Sequence, residues 1–182
     1  ADVYKRQTYA RMLDVPFAYS SNGDAFFEHD FLTGKEREIS LSEFPSPNEL
    51  IARYQAEKGM NDQEKQIIGQ PYYTSQNTHE PRYYQRNAVN RTVEAVARGQ
   101  NRALLVMATG TGKTFTAFQI IWRLWKSHRA KRVLFLADRN ILVDQTRVND
   151  FKPFGTAMTQ ITTRTADPSL EIFLAIYPSL IH

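Results

Sequence analysis

Apolar residues are spaced along this chain in two ways, and each spacing predicts a different element. Solid apolar runs of strand length occur at 103–108 (Ala-Leu-Leu-Val-Met-Ala), at 132–137, where Arg132 leads into Val-Leu-Phe-Leu-Ala, and at 172–177 (Ile-Phe-Leu-Ala-Ile-Tyr). Strands apolar at nearly every position belong to sheets covered on both faces, as parallel sheets are. Elsewhere the apolar positions recur at helical intervals. From Arg82 to Ala97, Tyr84, Ala88, Val89, Thr92 and Val96 line one face, and Gly99 ends the helix. Residues 115–125 carry Phe115, Phe118, Ile121, Trp122 and Trp125 with Ala117, Ile120 and Leu124. That helix is apolar nearly all round, so it is expected to be buried, with its aromatic set serving as core. A further stripe (Ile141, Leu142, Gln145, Val148) predicts a helix over 140–150. Strand, helix and strand at these intervals predict a right-handed parallel crossover. Residues 151–170 hold Pro153, Gly155 and many threonines and predict an irregular stretch with one short strand.

The first third reads differently. Residues 8–14 predict the end of a helix stopped by Val15-Pro16. Two aromatic-rich runs, at 17–21 and 25–31, flank the turn signal Asn22-Gly23-Asp24, and a second turn, Thr33-Gly34-Lys35, precedes 36–41. The result is a three-stranded meander, which needs something to pack on. Phe44-Pro45-Ser46-Pro47 breaks regular structure, and Asn48 is the predicted cap of a helix through Lys58, ended by Gly59. Residues 61–80 are polar and rich in Gln, Asn and Tyr, and read as linker with one short helix. The predicted organisation is an α/β fold: a β-rich region at 1–45, a helical linker at 46–80, and a parallel-sheet domain with flanking helices at 81–182. The opening helix, and a domain of only three or four strands, predict truncation at both ends.

The first apolar run passes directly into Thr109-Gly110-Thr111-Gly112-Lys113-Thr114, and a helix follows. Strand, glycine loop ending in Gly-Lys-Thr, and helix is the order of a phosphate-binding loop. Backbone N–H groups from Thr109 to Thr114 converge on phosphate oxygens only where small residues let the chain curl, and Gly110 and Gly112 permit that. The helix start adds its positive dipole end. Lys113 is placed to reach the β/γ-phosphates and the Thr114 hydroxyl to ligate Mg²⁺, which makes these two the candidate catalytic residues. The general spacing G-x-x-x-x-G-K-S/T would put glycine at 107, where this chain has Met107.

Charge adds a second partner class. The chain carries net +4, yet residues 1–80 hold 8 Lys/Arg against 13 Asp/Glu (net −5), while residues 81–150 hold 13 against 4 (net +9). A basic block around a phosphate loop suits a polyanion beyond the nucleotide itself, with ordinary solvated helix faces as the plainer reading. There is no cysteine and hence no disulfide framework. The four histidines, at 29, 79, 128 and 182, lack ligand spacing. Apolar runs fall far short of the ~20 residues that cross a bilayer, so a soluble, cytoplasmic protein with no membrane partner is expected.

Several motifs coincide. Pro81-Arg82-Tyr83-Tyr84-Gln85, Met107 through Thr114, Val133 through Gln145, and Phe173 through Leu180 together resemble the first motor domain of superfamily two helicases. The resemblance is strongest to the motor subunit of type I restriction-modification enzymes, whose phosphate loop often reads Met-Ala-Thr-Gly-Thr-Gly-Lys-Thr, as here. It implies an incomplete RecA-like P-loop domain, ATP and Mg²⁺ as cofactors, and adenine reading by Gln85 with Arg82 and Tyr84 nearby. An amide can pair bidentately with the adenine edge. The resemblance also implies a nucleic-acid-tracking motif with Arg139 on a phosphate and Gln145 beside it. Tyr177-Pro178-Ser179-Leu180 is similar to the family's Thr-Tyr-Gln-Ser-Leu, with proline replacing the glutamine. Tyr9 through Leu13, Pro16 through Gly23 and Phe44 through Pro47 resemble the tail of that family's endonuclease domain, whose metal-binding carboxylates lie upstream. Lys5 stands where the family has glutamine, and residues 1–7 read as foreign to the gene.

The implied function is an ATP-dependent double-stranded DNA translocase and endonuclease motor subunit, working with modification and specificity subunits. Residues 1–182 alone are expected to be inactive, because no apolar strand here ends in Asp-Glu. Three alternatives stand beside it. Another superfamily two motor, such as an excision-repair helicase subunit, shares most of the motifs. Leu134 through Asp138 also has the loose shape of a Mg²⁺-binding strand, which would suit a small-molecule kinase. A module that binds ATP without turnover is the third.

Overall fold

The computed structural model describes residues 3–76, 80–137, 151–161 and 167–176, with side chains from residue 7 onward. The chain divides into two compact units. One comprises the residues up to Lys65 with Arg82–Asn87, the other Gln66–Pro81 with the residues from Ala88 on.

In the first unit, helix α1 (Val3–Leu13) leads through Asp14, at φ 53°, into an antiparallel meander of β1 (Phe17–Ser21), β2 (Ala25–Asp30) and β3 (Glu36–Ser40). The first turn forms as its sequence predicts. Gly23 takes φ 102°, and the Asn22 side-chain oxygen accepts the N–H groups of Asp24 and Ala25. The register pairs Tyr19 with Glu28 and Glu28 with Arg37. Helix α2 (Pro47–Glu57) is capped by Ser46, not Asn48. Ser46 and Glu49 form a reciprocal capping box with Pro47 in the first turn, a tighter arrangement than a cap two residues later could make.

A buried carboxylate holds this unit together. Glu28 is 2% exposed on the middle strand. It accepts from Tyr19 Oη, from Arg37 Nε at 2.7 Å, and from Arg53 of α2 through both terminal nitrogens at 2.8 and 2.9 Å. Arg53 also reaches Asp30 at 3.1 Å and lies 4.5 Å from the Phe17 ring centroid. Asp30 in turn accepts the N–H groups of Leu32 and Thr33. Burial raises the Glu28 carboxyl, but the Arg53, Arg37 and Tyr19 hydrogen bonds outweigh it and hold the group at about 2. Burial, then the Glu28 hydrogen bond, push Tyr19 up to about 12.

The second unit contains a parallel sheet in the order β4 (Val133–Ala137), β6 (Ile172–Ile176), β5 (Met158–Gln160). Helix α3 (Asp62–Gly69) belongs to it from Gln66 on and buries Ile67. Helix α4 (Tyr83–Ala97) contributes Val89 and Val93, and α5 (Lys113–Lys126) contributes Leu124 to the same core. A second core joins Phe118, Phe151, Phe154, Ile172 and Leu174, with Trp122, Trp125 and Tyr73 packed against them. Phe118, Trp122 and Trp125 of α5 are therefore core, as the spacing predicts, while Phe115 joins neither cluster.

Three expectations change. Residues 103–108 are irregular, and Leu104 and Val106 are 87% and 89% exposed. Apolar composition makes a strand only where a neighbour completes the ladder, and the described sheet pairs β4, β6 and β5 without this run. Strand β4 is not buried on both faces: Val133, Phe135 and Ala137 turn to the aromatic core, whereas Leu134 and Leu136 are 49% and 46% exposed. It pairs with β6 alone among the described residues, and only one of its faces is covered. On α4 the buried positions are Gln85, Val89 and Val93, one residue round from the predicted stripe. The helix predicted at 140–150 lies outside the described residues. Residues 61–80, read as linker with one short helix, hold that helix as α3 and, beyond a linker's role, supply Ile67 and Tyr73 to core clusters.

Candidate functional site

The glycine loop forms at the start of α5. Gly110 and Gly112 take φ 78° and 83°, the left-handed region where a side chain is strained. Space for a β-carbon exists at Gly110, so backbone conformation, not crowding, demands glycine there. Gly112 is the N-cap of α5 and offers no side-chain cap. The first bond of the helix runs from the Thr116 N–H to the Gly112 carbonyl at 2.9 Å, with the buried Thr116 hydroxyl on the same oxygen at 3.0 Å. The N–H groups of Lys113, Thr114 and Phe115 precede that bond and have no intrahelical acceptor. Such uncapped donors at a positive helix end suit an anion.

Lys113 is exposed, and its ammonium folds back to donate to the carbonyls of Met107 (3.4 Å) and Ala108 (3.2 Å). Thr111 closes the loop through its hydroxyl to the Ala108 carbonyl at 2.6 Å. Thr109, Gly110, Thr111, Gly112, Lys113 and Thr114 thus form one continuous turn into α5. A triphosphate fits this donor set, with Lys113 free to exchange two neutral carbonyls for phosphate oxygens, and the Thr114 hydroxyl would take the Mg²⁺ that accompanies it.

Gln85 and Arg82 meet at the start of α4. The Arg82 N–H donates to Gln85 Oε1 at 2.9 Å, half of a capping box, and the Arg82 guanidinium lies 3.4 Å from the Tyr84 hydroxyl. Gln85 therefore has a structural role at the helix start. Arg139 and Gln145 lie outside the described residues, as does Asp138 of the alternative Mg²⁺ reading.

The basic block is partly spent on the fold. Arg129 donates to the Val96 carbonyl, Arg132 to that of Pro168, and Arg98 pairs with Glu94 at 3.6 Å. Lys126 lies over the Trp122 and Trp125 rings. Sequence reasoning also missed the buried amide and guanidinium of α5. Gln119 accepts the Tyr73 N–H at 2.9 Å and donates back to the Tyr73 carbonyl at 3.0 Å. Arg123 reaches the carbonyls of Gln70 and Ile68 and the side chain of Asn90. Their i,i+4 spacing within an otherwise apolar helix was the available signal.

Comparison with known proteins adds to this geometry. Residues 78–181 match the family model described as type III restriction enzyme, res subunit. The endonuclease subunit of the type I restriction enzyme EcoAI from Escherichia coli is 57% identical over 176 residues, covering 94% of this chain and 22% of that one. The corresponding EcoKI subunit, also from Escherichia coli, is 32% identical over 186 residues, covering 92% and 15%. UvrABC system protein B of Prochlorococcus marinus is 33% identical over 107 residues, 59% of this chain and 13% of that one. Among solved structures, a fragment described as an HsdR subunit of a type I restriction enzyme from Vibrio vulnificus superposes with a TM-score of 0.78 at 41% identity, over 97% of this chain and 32% of that one. The chain thus spans 22% and 15% of the lengths of the two Escherichia coli subunits.

Proposed function

Because the chain belongs to the family described as type III restriction enzyme, res subunit, we propose that it is the ATP-binding motor section of a type I restriction endonuclease subunit, moving on double-stranded DNA. The observation that carries the reading is the uncapped start of α5 behind two left-handed glycines, with Lys113 exposed beside it. In the proposal Lys113 and Thr114 hold the phosphates and Mg²⁺, the loop Thr109–Gly112 cradles them, and Gln85 with Arg82 and Tyr84 reads adenine. Arg139 and Gln145 track the DNA backbone. The bound ATP–Mg²⁺ would supply the phosphoryl group whose hydrolysis drives movement, while the chain's own residues position it and neutralise its charge. Modification and specificity subunits are the proposed protein partners. An excision-repair helicase remains the second reading. The likeness to UvrABC protein B covers 59% of the chain and the two Escherichia coli type I subunits cover 92% and more, which favours the first.

DNA-stimulated ATP hydrolysis by an intact subunit of the relatives' length tests the proposal, and its absence with intact DNA binding would overturn it. Two narrower outcomes are expected. Gln85→Ala should narrow the preference for ATP over GTP in competition binding, and equal affinities in the unaltered protein would remove Gln85 from the adenine site. Duplex affinity should vary little with sequence and fall steeply with salt, by about a thousandfold between roughly 50 and 200 mM if some six phosphates are contacted. A flat salt titration would return the basic block to the solvated-face reading.

A further inference from the structure

The end of α5 opposite the glycine loop carries exposed cations at Lys126, Arg129, Lys131 and Arg132. The chain leaves the helix through Ser127 and a left-handed His128 at φ 58°, and the Ala130 N–H closes the turn on the Leu124 carbonyl at 3.0 Å. Lys126, Arg129 and Arg132 are each held in place by a neutral partner. Arg129 donates through Nη2 to the Val96 carbonyl at 3.2 Å, and Arg132 through Nη2 to the Pro168 carbonyl at 3.2 Å. The Lys126 ammonium lies 4.8 and 4.6 Å from the ring centroids of Trp122 and Trp125. Among the described residues no carboxylate pairs with any of the four cations. The acidic groups close by in this unit are engaged elsewhere: Glu94 with Arg98, Glu171 with the Trp125 indole, and Asp167 with Ser169.

This pattern differs from that of an ordinary solvated face. A carbonyl or a π face orients a guanidinium or an ammonium without cancelling its charge, so the cations are positioned and still unneutralised. Complementing the helix dipole accounts for Lys126 alone, because that effect fades beyond the last turn and Arg129, Lys131 and Arg132 lie past it. Nor can the corner serve the triphosphate. Lys113 and Lys126 are the first and last residues of α5, about 20 Å apart along the axis, which is more than two Debye lengths at physiological salt. A small anion would engage one or two of these cations, whereas the whole set suits a polymer charged at every step. Duplex DNA carries one charge per about 1.7 Å of its axis.

We infer that the corner formed by Lys126, Arg129, Lys131 and Arg132 grips the sugar–phosphate backbone of duplex DNA without reading its sequence. The inference rests on the translocase reading above and adds to it a DNA contact remote from the nucleotide. The test compares an intact subunit with its Arg129→Gln/Lys131→Gln/Arg132→Gln variant in duplex binding, followed by fluorescence anisotropy between roughly 50 and 200 mM salt. The slope of log affinity against log salt should become shallower by about 0.9 for each cation removed, hence by about 2.7 for the triple variant, and equally for unrelated duplex sequences. Arg129→Lys/Arg132→Lys keeps the charges and should keep the slope. The melting temperature and the KM for ATP at saturating DNA should stay near those of the parent. An unchanged slope in a triple variant that melts normally would overturn the inference while leaving the translocase reading intact. A variant that binds duplex like the parent but no longer binds poly-glutamate would overturn it too, and would assign the corner to an acidic protein. A parent without duplex affinity would remove the translocase reading and this inference together. Should the triple variant fail to fold, Lys131→Gln, which breaks no described contact, decides alone through the same shift of about 0.9.

Discussion

Lys113→Ala is expected to lower DNA-stimulated ATP hydrolysis in an intact subunit by roughly a hundred- to a thousandfold, the usual loss when one preorganised charge-stabilising donor is removed from a reacting centre. The ammonium is exposed and, among the described residues, bonds the Met107 and Ala108 carbonyls, so it contributes little to the fold. The melting temperature should therefore stay near that of the unaltered protein. A kinetic defect without a stability defect separates a phosphate ligand from a structural lysine. Activity within a few-fold of the parent would remove Lys113 from the site and return the glycine loop to an ordinary turn. The measurement belongs in an intact subunit because phosphoryl transfer needs more groups than a lysine and a threonine can supply.

The second large effect concerns stability. Glu28→Ala should destabilise the first unit by about 3 kcal/mol, since it removes the carboxylate on which Arg53, Arg37 and Tyr19 converge and leaves the part-buried Arg53 with Asp30 as its described carboxylate partner. The same carboxylate makes stability depend on pH. Its folded pKa of about 2 lies below the ordinary 4.5, so its contribution is complete above about pH 4.5 and is lost as the pH falls toward 2. Tyr19 has the opposite sign. Its folded value of about 12 lies above 10, so stability is complete below about pH 10 and declines as the pH climbs toward 12. Urea unfolding across pH should show a plateau between these limits, and Glu28→Ala should remove most of the acid limb. An acid limb unchanged in the variant would assign it to other carboxylates.

What the sequence made legible, and what it hid, follows from the kind of residue involved. Strands β4 and β6 and the core role of Trp122 and Trp125 could be read because apolar side chains state their own preference. The start of α5 could be read because Gly110 and Gly112 state a backbone preference. The run at 103–108 states the same preference as β6 yet forms no ladder, since pairing depends on a neighbour that composition does not name. Glu28, Gln119 and Arg123 were hidden for a related reason. Charged and amide residues are usually exposed, and the partners that tie them across the fold stand far off in the chain: Arg53 is 25 positions from Glu28, Tyr73 46 from Gln119, and Gln70 and Ile68 53 and 55 from Arg123. The Ser46 cap was legible, because Ser-x-x-Glu stands in the sequence at 46–49, but the asparagine two residues on competed for the same role.

The exposed stretch Leu104-Leu105-Val106 also bears on how this protein behaves in concentrated solution. Uncharged from Ala103 to Gly112 and free of proline, it has the composition of a segment that stacks with copies of itself once its amides find partners. Arg102 and Lys113 bracket it as gatekeepers, and their like charges would have to approach one another in any in-register stack. The lysine proposed to hold phosphate would thereby also serve colloidal stability. A bound polyanion that neutralised Lys113 would relax one of the two charges that keep the stretch from self-association.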